Sequence, residues 1–274
     1  MIDPRFKTIF KQGSKTYYNS SYFFPEPVRQ QVLVLYGFVR TADDLVDAIP
    51  SQNEAFQDFR KDWETASRTG KSDNFIIQAF VDLSRKLNFI NAWTKAFLDS
   101  MAMDLEHKVY NTLAETEEYI YGSAEVIGLF MAKIMNLPEE SWKGAMKLGK
   151  AMQFINFIRD IAEDNVLGRA YFPKEDLDNC GLESLDSSYI FQHQANFEKF
   201  VHLQLCRYNA WQLEAEENFK YIPKRYLIPI KTASEMYKWT AKKIAKNPAQ
   251  VFTKKIKPRR YRIFLTALRE IIVW

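Results

Sequence analysis

The sequence predicts an all-α protein, and three observations support that prediction. Long stretches of the 274-residue chain carry apolar residues at helical spacing. Only nine glycines and ten prolines interrupt the chain, and alternating segments that would indicate β-strands are hard to find. The hydrophobic fraction of 47% is enough for a sizeable core. Because neither an internal repeat nor a low-complexity linker divides the chain, we expect a single domain over residues 1–274.

The expected helices are separated by prolines and short polar breaks. Pro25 and Pro27 precede the first strong pattern and Pro50 follows it, as prolines often do at helix boundaries. Ser141 is the expected N-cap of the helix that runs to Asp164. Helical patterns cover residues 28–48, 53–68, 75–87, 90–108, 116–135, 141–164, 190–220 and 226–246, and they leave 168–173 as a loop and 175–186 as irregular chain.

Composition argues against a membrane-spanning or secreted protein. No apolar run approaches the roughly 18 residues that cross a bilayer, and the N-terminus lacks the apolar region of a signal peptide. Cys180 and Cys206 favour unpaired thiols in a reducing compartment. We therefore expect a cytoplasmic protein.

Positive charge is concentrated near the C-terminus. Residues 220–274 contain 15 lysines and arginines against two acidic residues, a balance of +13, so the rest of the chain carries −9. Such a segment suits anionic lipid, nucleic acid or a phosphorylated ligand, and a solvated basic surface is the plainer alternative. We expect no nucleic-acid partner, because no DNA- or RNA-binding motif accompanies the charge. A peripheral membrane contact is one of the interpretations left open.

A polar stripe interrupts the apolar stretch AMQFINFIRDIAED at 151–164. Asn156, Asp160 and Asp164 follow at four-residue steps, which puts them on one helical face, and Gln153 lies one turn earlier. Nearly every other direction around this helix is apolar, which is typical of a buried helix. The stripe is therefore expected inside the protein, where carboxylates need partners.

A second stretch, VLVLYGFVRTADDLVD at 32–47, repeats the pattern. Helical spacing groups Tyr36, Arg40, Asp43 and Asp47 on one face, and Asp44 lies off it. Either Arg40 pairs locally with an aspartate at a solvent-facing helix end, or the two acidic faces oppose each other around cations. Oxygen ligands without sulfur or imidazole suit a hard cation, usually Mg²⁺, with Mn²⁺ as the alternative.

Such a site favours a diphosphate with an apolar tail as ligand. Mg²⁺ commonly completes its coordination with phosphate oxygens, and Arg40 could clamp those oxygens through two hydrogen bonds. Metal ions would neutralise the leaving group of an allylic diphosphate, and aromatic faces would stabilise the carbocation away from water. The 21 phenylalanines, 14 tyrosines and six tryptophans make an aromatic lining feasible.

At this point the sequence resembles the squalene/phytoene synthase family of head-to-head prenyl transferases, over almost its whole length. The resemblance is carried by GSKTYYNSSYFFP at 13–25, LYGFVRTADDLVD at 35–47, YIYGSAEVIG at 119–128 and, most specifically, AMQFINFIRDIAEDNVLGRAYFP at 151–173. It implies a single isoprenoid-synthase-type helical domain around a central cavity. Members of the family condense two prenyl diphosphates through a cyclopropyl diphosphate and then rearrange it.

The resemblance also implies roles for individual residues. The implied metal ligands are Asp43, Asp47, Asn156, Asp160 and Asp164. The implied catalytic residues are the same four aspartates with Tyr36 and Tyr237, which match positions near the reacting carbons. The implied substrate-binding residues are Ser14, Thr16, Tyr17, Arg40, Ala124, Ile127, Gln153, Asn156, Arg169 and Tyr171.

Glu125 departs from the family pattern, because many members have a small glycine there. We expect its side chain either to contact Arg40 or a metal-bound water, or to face outward. The segment KKIKPRR at 254–260 resembles the basic C-terminal segment of the family. Its candidate diphosphate-binding residues are Lys254, Lys255 and Arg259.

The expected reaction joins two geranylgeranyl diphosphates to phytoene through a cyclopropyl (prephytoene) diphosphate, with Mg²⁺ and without NADPH. Conversion of farnesyl diphosphate to squalene or dehydrosqualene is the alternative, and a prenyl diphosphate hydrolase would use the same residues. A non-catalytic assembly protein is disfavoured because both acidic pairs are present. Terpene cyclases and chain-elongating prenyl transferases have a different second motif, and a di-iron bundle needs Glu-x-x-His pairs that the sequence lacks.

Overall fold

The computed structural model describes residues 2–50, 52–106 and 109–272, and the regular elements within these ranges are all helical. The side chains of Lys15, Thr16 and Ile272 lie outside the description. The all-α prediction is therefore confirmed. The α-helices are α1 (Pro4–Gly13), α2 (Lys15–Ser20), α3 (Glu26–Asp47), α4 (Asn53–Thr69), α5 (Phe75–Leu87), α6 (Asn91–Leu105), α7 (Leu113–Ile120), α8 (Val126–Ile134), α9 (Trp142–Val166), α10 (Lys174–Cys180), α11 (Ser187–Ile190), α12 (Gln194–Glu216), α13 (Lys224–Lys246) and α14 (Arg260–Ile272).

The helix predicted over 116–135 is broken where it passes α6. A π-helical turn, Tyr121–Glu125, separates α7 from α8. A Cβ atom at Gly122 would come within 2.2 Å of the Ala96 carbonyl oxygen, so only glycine allows α6 to approach this turn so closely. Side-chain periodicity does not reveal such a turn, because the apolar pattern continues through it.

Several other boundaries differ from the prediction. The Ser141 hydroxyl does not cap α9: it donates a hydrogen bond to the Pro138 carbonyl (2.6 Å) within a short 3₁₀ turn. The segment predicted over 190–220 becomes α12 and a following 3₁₀ turn, Glu217–Tyr221. Short helices α1, α2, α10 and α11, and the amphipathic α14, form where no helix was predicted.

Helix α9 occupies the centre of the fold. It packs against α12, α8, α13 and the π-helical turn. Phe154, Ile155 and Ile158 on α9 are completely buried, as expected for a helix that is apolar nearly all round. The polar residues of the same helix, Gln153, Asn156, Asp160 and Asp164, are half-buried.

Two clusters of apolar side chains form the core. One is built around Phe38 of α3, which stacks on Phe80 of α5 with ring centroids 3.9 Å apart. The other surrounds Phe154 and includes Tyr208 of α12. Residues of both clusters border one large cavity. The interpretation of residues 1–274 as one domain stays a prediction.

None of the described helices combines the length and the apolar composition needed to cross a membrane.

Candidate active site

A cavity of about 800 Å³ lies among α2, α3, α8, α9 and α13. On both α3 and α9 the lining residues change from apolar to polar along the helix. Val32 and Leu35 precede Arg40 and Asp43 on α3, and α9 repeats this order. One end of the cavity is thus apolar and the other polar. The polar end includes Ser14, Arg40, Asp43, Gln153, Asn156, Arg159 and Lys257.

The acidic end of α3 is held by two arginines. Arg40 donates a hydrogen bond to Asp43 (2.8 Å) and also pairs with Asp44, which is 56% exposed. Arg169, from the loop after α9, donates to Asp47 (2.5 Å) and to the Val46 carbonyl oxygen (2.8 Å). Burial, reinforced by the nearby Asp47 carboxylate, raises the pKa of Asp43 to about 7.

The acidic stripe on α9 has one arginine and one unsatisfied amide. Arg159 donates through Nε to Asp160 (2.8 Å). Burial, with repulsion from Asp160, raises the pKa of Asp164 to about 8. The Asn156 side-chain oxygen is buried and has no hydrogen-bond partner among the residues that the structure describes. A buried acceptor without a hydrogen bond destabilises the folded protein, and a ligand or ion in the cavity would supply the missing partner.

Asp104 of α6 lies near both acidic stripes, since its charge affects Asp43 and Asp164, and it was not predicted as a site residue. Its carboxylate accepts hydrogen bonds from the Tyr119 and Tyr171 hydroxyls, both at 2.8 Å, and lies 4.0 Å from the Arg169 Nε atom. Burial raises its pKa to about 6. A signal for this residue existed: Asp104 follows Met101 on the buried side of α6, where an unpaired acid would be costly.

The ends of the two acidic stripes lie close enough to interact, and the local pairing of Arg40 with Asp43 and Asp44 that the sequence also allowed is present as well. Repulsion from Asp47 and Asp104 reaches Asp164 and contributes to its raised pKa. Arg169 lies between them and offsets part of that repulsion. Among the described residues, Arg40, Arg159 and Arg169 thus pair with aspartates that were expected to be metal ligands.

The predicted tyrosines divide between the cavity and its border. The hydroxyls of Tyr17 and Tyr237 share a hydrogen bond inside the cavity. Tyr36 also lines the cavity and stacks on Phe10, with centroids 4.0 Å apart. Tyr171 instead stacks on Phe157 behind the lining (4.3 Å).

The other predicted residues are placed as follows. Those that line the cavity are Ser14, Tyr17, Tyr36, Arg40, Asp43, Ala124, Ile127, Gln153, Asn156 and Tyr237. Those that do not line the cavity are Asp47, Asp160, Asp164, Arg169 and Tyr171. Of these, Asp160 is linked to the cavity through its ion pair with the lining residue Arg159. The Thr16 side chain falls outside the described part of the chain.

Glu125 points inward and pairs with a lysine instead of Arg40. Its side chain is 13% exposed and pairs with Lys150 (3.1 Å), which also pairs with Glu117 (3.1 Å). The Lys150 ammonium lies 4.8 Å from the Trp211 ring centre. The expected contact with Arg40 and the expected outward orientation are therefore wrong, since a buried lysine from the neighbouring α9 forms the ion pair.

In the basic C-terminal segment, the basic residue that lines the cavity is not among the three that were expected to bind diphosphate. Lys257 lines the polar end, and burial together with the positive charges of Lys255 and Arg159 lowers its pKa. Lys255 pairs with Glu163 and lies 3.9 Å from Asp160. The side-chain direction of residues in an irregular segment cannot be obtained from periodicity, which explains the difference.

The donor atoms at the polar end fit a hard cation. In the ranges that the structure describes, no three His, Cys, Asp or Glu side chains are clustered as a ready metal site. The acidic residues are nevertheless oxygen donors only, and the orphaned Asn156 oxygen adds a neutral one. This chemistry suits Mg²⁺ or Mn²⁺ rather than zinc or copper.

Comparison with known proteins gives concordant results. The family model for squalene/phytoene synthase matches residues 10–262. A 15-cis-phytoene synthase from Paracoccus sp. (strain N81106 / MBIC 01143) is 32% identical over 180 residues, which cover 62% of this chain and 59% of that enzyme. A 15-cis-phytoene synthase from Pantoea ananas is 26% identical over 238 residues, which cover 82% of this chain and 77% of that enzyme. The chain thus spans less than two thirds of the Paracoccus enzyme.

Solved structures show the same fold. The crystal structure of a dehydrosqualene synthase in complex with a ligand superposes with a TM-score of 0.87 at 24% identity, over 98% of this chain and 95% of that one. The predicted arrangement of helices around a central cavity, as in isoprenoid synthases, is therefore confirmed.

Proposed function

Because this chain belongs to the squalene/phytoene synthase family, we propose that it joins two prenyl diphosphates head to head. The proposed substrate is geranylgeranyl diphosphate and the proposed product is phytoene, formed through a cyclopropyl diphosphate. Similarity to two bacterial phytoene synthases supports this choice of substrate and product.

The observation that carries the proposal is the division of the cavity into an apolar body and a polar end. Gly144 and Arg159, both on α9, line opposite stretches of it. At 1.5 Å rise per residue, about 22 Å of helix separates them. A long prenyl tail can lie along this apolar length while its diphosphate stays at the polar end.

Different residues of the polar end would bind the diphosphate, the metal ions and the reacting carbons. Arg40, Arg159 and Lys257 would donate hydrogen bonds to diphosphate oxygens, replacing their present contacts with aspartates where these exist. Bound Mg²⁺ would neutralise the leaving diphosphate, with Asp43 and Asp47 as ligands on one side and Asn156, Asp160 and Asp164 on the other. The paired Tyr17 and Tyr237 rings lie where they could shield a carbocation from water.

Product analysis tests the proposal. Purified protein with Mg²⁺ would receive geranylgeranyl or farnesyl diphosphate separately, each with and without NADPH. We expect phytoene from the first substrate, with no requirement for NADPH. Squalene or dehydrosqualene from the second would keep the reaction type and change the substrate. The free prenyl alcohol alone would indicate a hydrolase, and no conversion of either substrate would contradict an enzymatic role.

A further inference from the structure

Helix α14 presents an apolar surface to the outside. Its exposed side chains follow at steps of three and four residues, which places them along one side of the helix. The opposite side is buried through Ile263 and Ala267, which are 2% and 0% exposed. We call the outer side the α14 surface; it consists of Tyr261, Phe264, Leu265, Leu268 and Ile271, which are 47–61% exposed.

Arginines flank the α14 surface. Arg260 lies beside one edge of the apolar stripe, and Arg262 and Arg269 lie beside the other. Glu270, the only acidic residue in α14, points inward: its side chain is 12% exposed and lies 3.6 Å from Lys231. The α14 surface therefore combines exposed apolar side chains with positive charge and presents no acidic side chain of its own.

The α14 surface is connected to the cavity wall through Phe23 and through the segment that precedes the helix. Phe23 contacts Phe264 (centroids 6.4 Å apart), while its neighbours Ser21 and Phe24 line the cavity. The chain that leads into α14 also lines the cavity, through Lys257 and Pro258. The α14 surface thus lies near the wall of the cavity without forming part of it.

We propose that the α14 surface docks on an anionic lipid bilayer. An amphipathic helix binds such a bilayer by burying apolar side chains between the headgroups while arginines contact anionic lipid. A second copy of this chain fits less well, because a symmetric contact would bring the two sets of arginines together. The docking does not depend on prenyl transfer, but it would place the cavity of a prenyl transferase beside the membrane that receives an insoluble product.

Vesicle flotation tests the docking. Wild-type protein is expected to float with vesicles of phosphatidylcholine and phosphatidylglycerol, less with phosphatidylcholine alone, and less at high salt. The double variant Leu265→Asp/Leu268→Asp should bind the mixed vesicles at least about tenfold more weakly. Leu213→Asp on α12, where the leucine is 63% exposed, is the matched control and should bind like wild type.

A charge variant separates the two contributions. Arg260→Glu/Arg269→Glu should lose the preference for anionic vesicles and keep the weak binding to phosphatidylcholine. Circular dichroism should show unchanged folding in both double variants, since the altered side chains are exposed and the buried Ile263 and Ala267 remain.

Three results would overturn the docking. The first is failure of wild type to float with either vesicle, and the second is equal flotation of the leucine variant. The third is a wild-type dimer that does not bind vesicles and becomes monomeric in the leucine variant, which would assign the α14 surface to a second copy. Product formation from detergent-solubilised substrate is measured separately, so its failure would contradict the proposed function and leave the vesicle result standing.

Discussion

At the scale of single residues, the site contains carboxylates whose repulsion is offset by arginines at its polar end. Asp47 and Asp104 share one arginine, Arg169, which is itself 8% exposed. A buried charge pair contributes little net stability, but removing one partner leaves the other uncompensated. Arg169 therefore has a structural role whatever it contributes to substrate binding.

Replacing Arg169 with methionine should destabilise the fold. The buried Asp104 carboxylate and the half-buried Asp47 carboxylate would lose their cation, and we expect a loss of about 2–4 kcal/mol in the free energy of unfolding. Urea denaturation measures it. Lys95→Met, which removes a 64% exposed lysine from its pair with Asp99, is the control and should cost less than about 1 kcal/mol. Equal losses in both variants would contradict this account of Arg169.

Asp160→Ala should abolish turnover and leave the helical fold largely intact. The aspartate orients Arg159 at the cavity and is a proposed metal ligand, so the expected loss of kcat is at least about 100-fold. Glu163→Ala removes an exposed carboxylate one turn away and should retain most activity. Full activity of the Asp160→Ala variant would show that Asp160 is not part of the active site.

The raised pKa values of Asp43 and Asp164 predict a pH-dependent stability. Their ordinary value is 3.8, so between about pH 4 and their folded values of about 7 and 8 the folded state binds more protons than the unfolded state. Each ionisation in that range therefore lowers the free energy of unfolding as pH rises. In EDTA, the Tm of Asp43→Asn/Asp164→Asn should fall less from pH 5 to pH 9 than that of wild type. Parallel curves would show that these groups ionise normally.

At the scale of elements, the π-helical turn is held by a lysine from the next helix. Lys150 of α9 reaches across to Glu117 of α7 and Glu125 at the end of the turn. The same turn brings Ser123 and Ala124 to the cavity wall. The interhelical ion pairs thus connect core packing to the shape of the cavity.

Lys150→Met should destabilise the protein by about 2–3 kcal/mol, because it leaves two partly buried carboxylates without their partner. Glu125→Gln is the matched change on the acidic side and should cost less, since Lys150 keeps Glu117 and an amide oxygen as acceptors. Thermal unfolding of both variants measures the difference. If Glu125→Gln were the more damaging change, the ion pairs would not be what holds the turn.

At the scale of the whole molecule, the length of the cavity should set the length of the substrate. Ala145 of α9 lines the part of the cavity far from the acidic residues. A larger side chain there shortens the apolar space without touching the polar end. Cavity length and diphosphate binding can therefore be varied independently.

Ala145→Phe should lower kcat/KM for geranylgeranyl diphosphate by at least about tenfold relative to farnesyl diphosphate, because the longer tail loses its space. Lys143→Phe adds the same ring at an exposed position two residues earlier and should leave the ratio unchanged. Steady-state kinetics with each substrate measures the ratio. If the ratio of kcat/KM values for the two substrates were unchanged in Ala145→Phe, the end of the prenyl tail would not lie beside residue 145.

The sequence by itself determined the helical class and the two acidic stripes. Helical periodicity is a local property, so Asn156, Asp160 and Asp164 fall on one face wherever α9 packs. Apolar neighbours on all other sides likewise predict that this face is internal. These features required no knowledge of which helices meet.

Only the tertiary structure decided which groups neutralise the acidic stripes and where the cavity wall bends. Arg169 from the loop after α9 pairs with Asp47, and Lys255 from the C-terminal segment lies 3.9 Å from Asp160. Lys257 lines the cavity, and all three positions depend on how distant parts of the chain pack together. The π-helical turn at Gly122 depends on the approach of α6, and no spacing in the sequence encodes that contact. Burial and charge at a site depend on neighbours distant in sequence, and those neighbours are set only when the helices pack together.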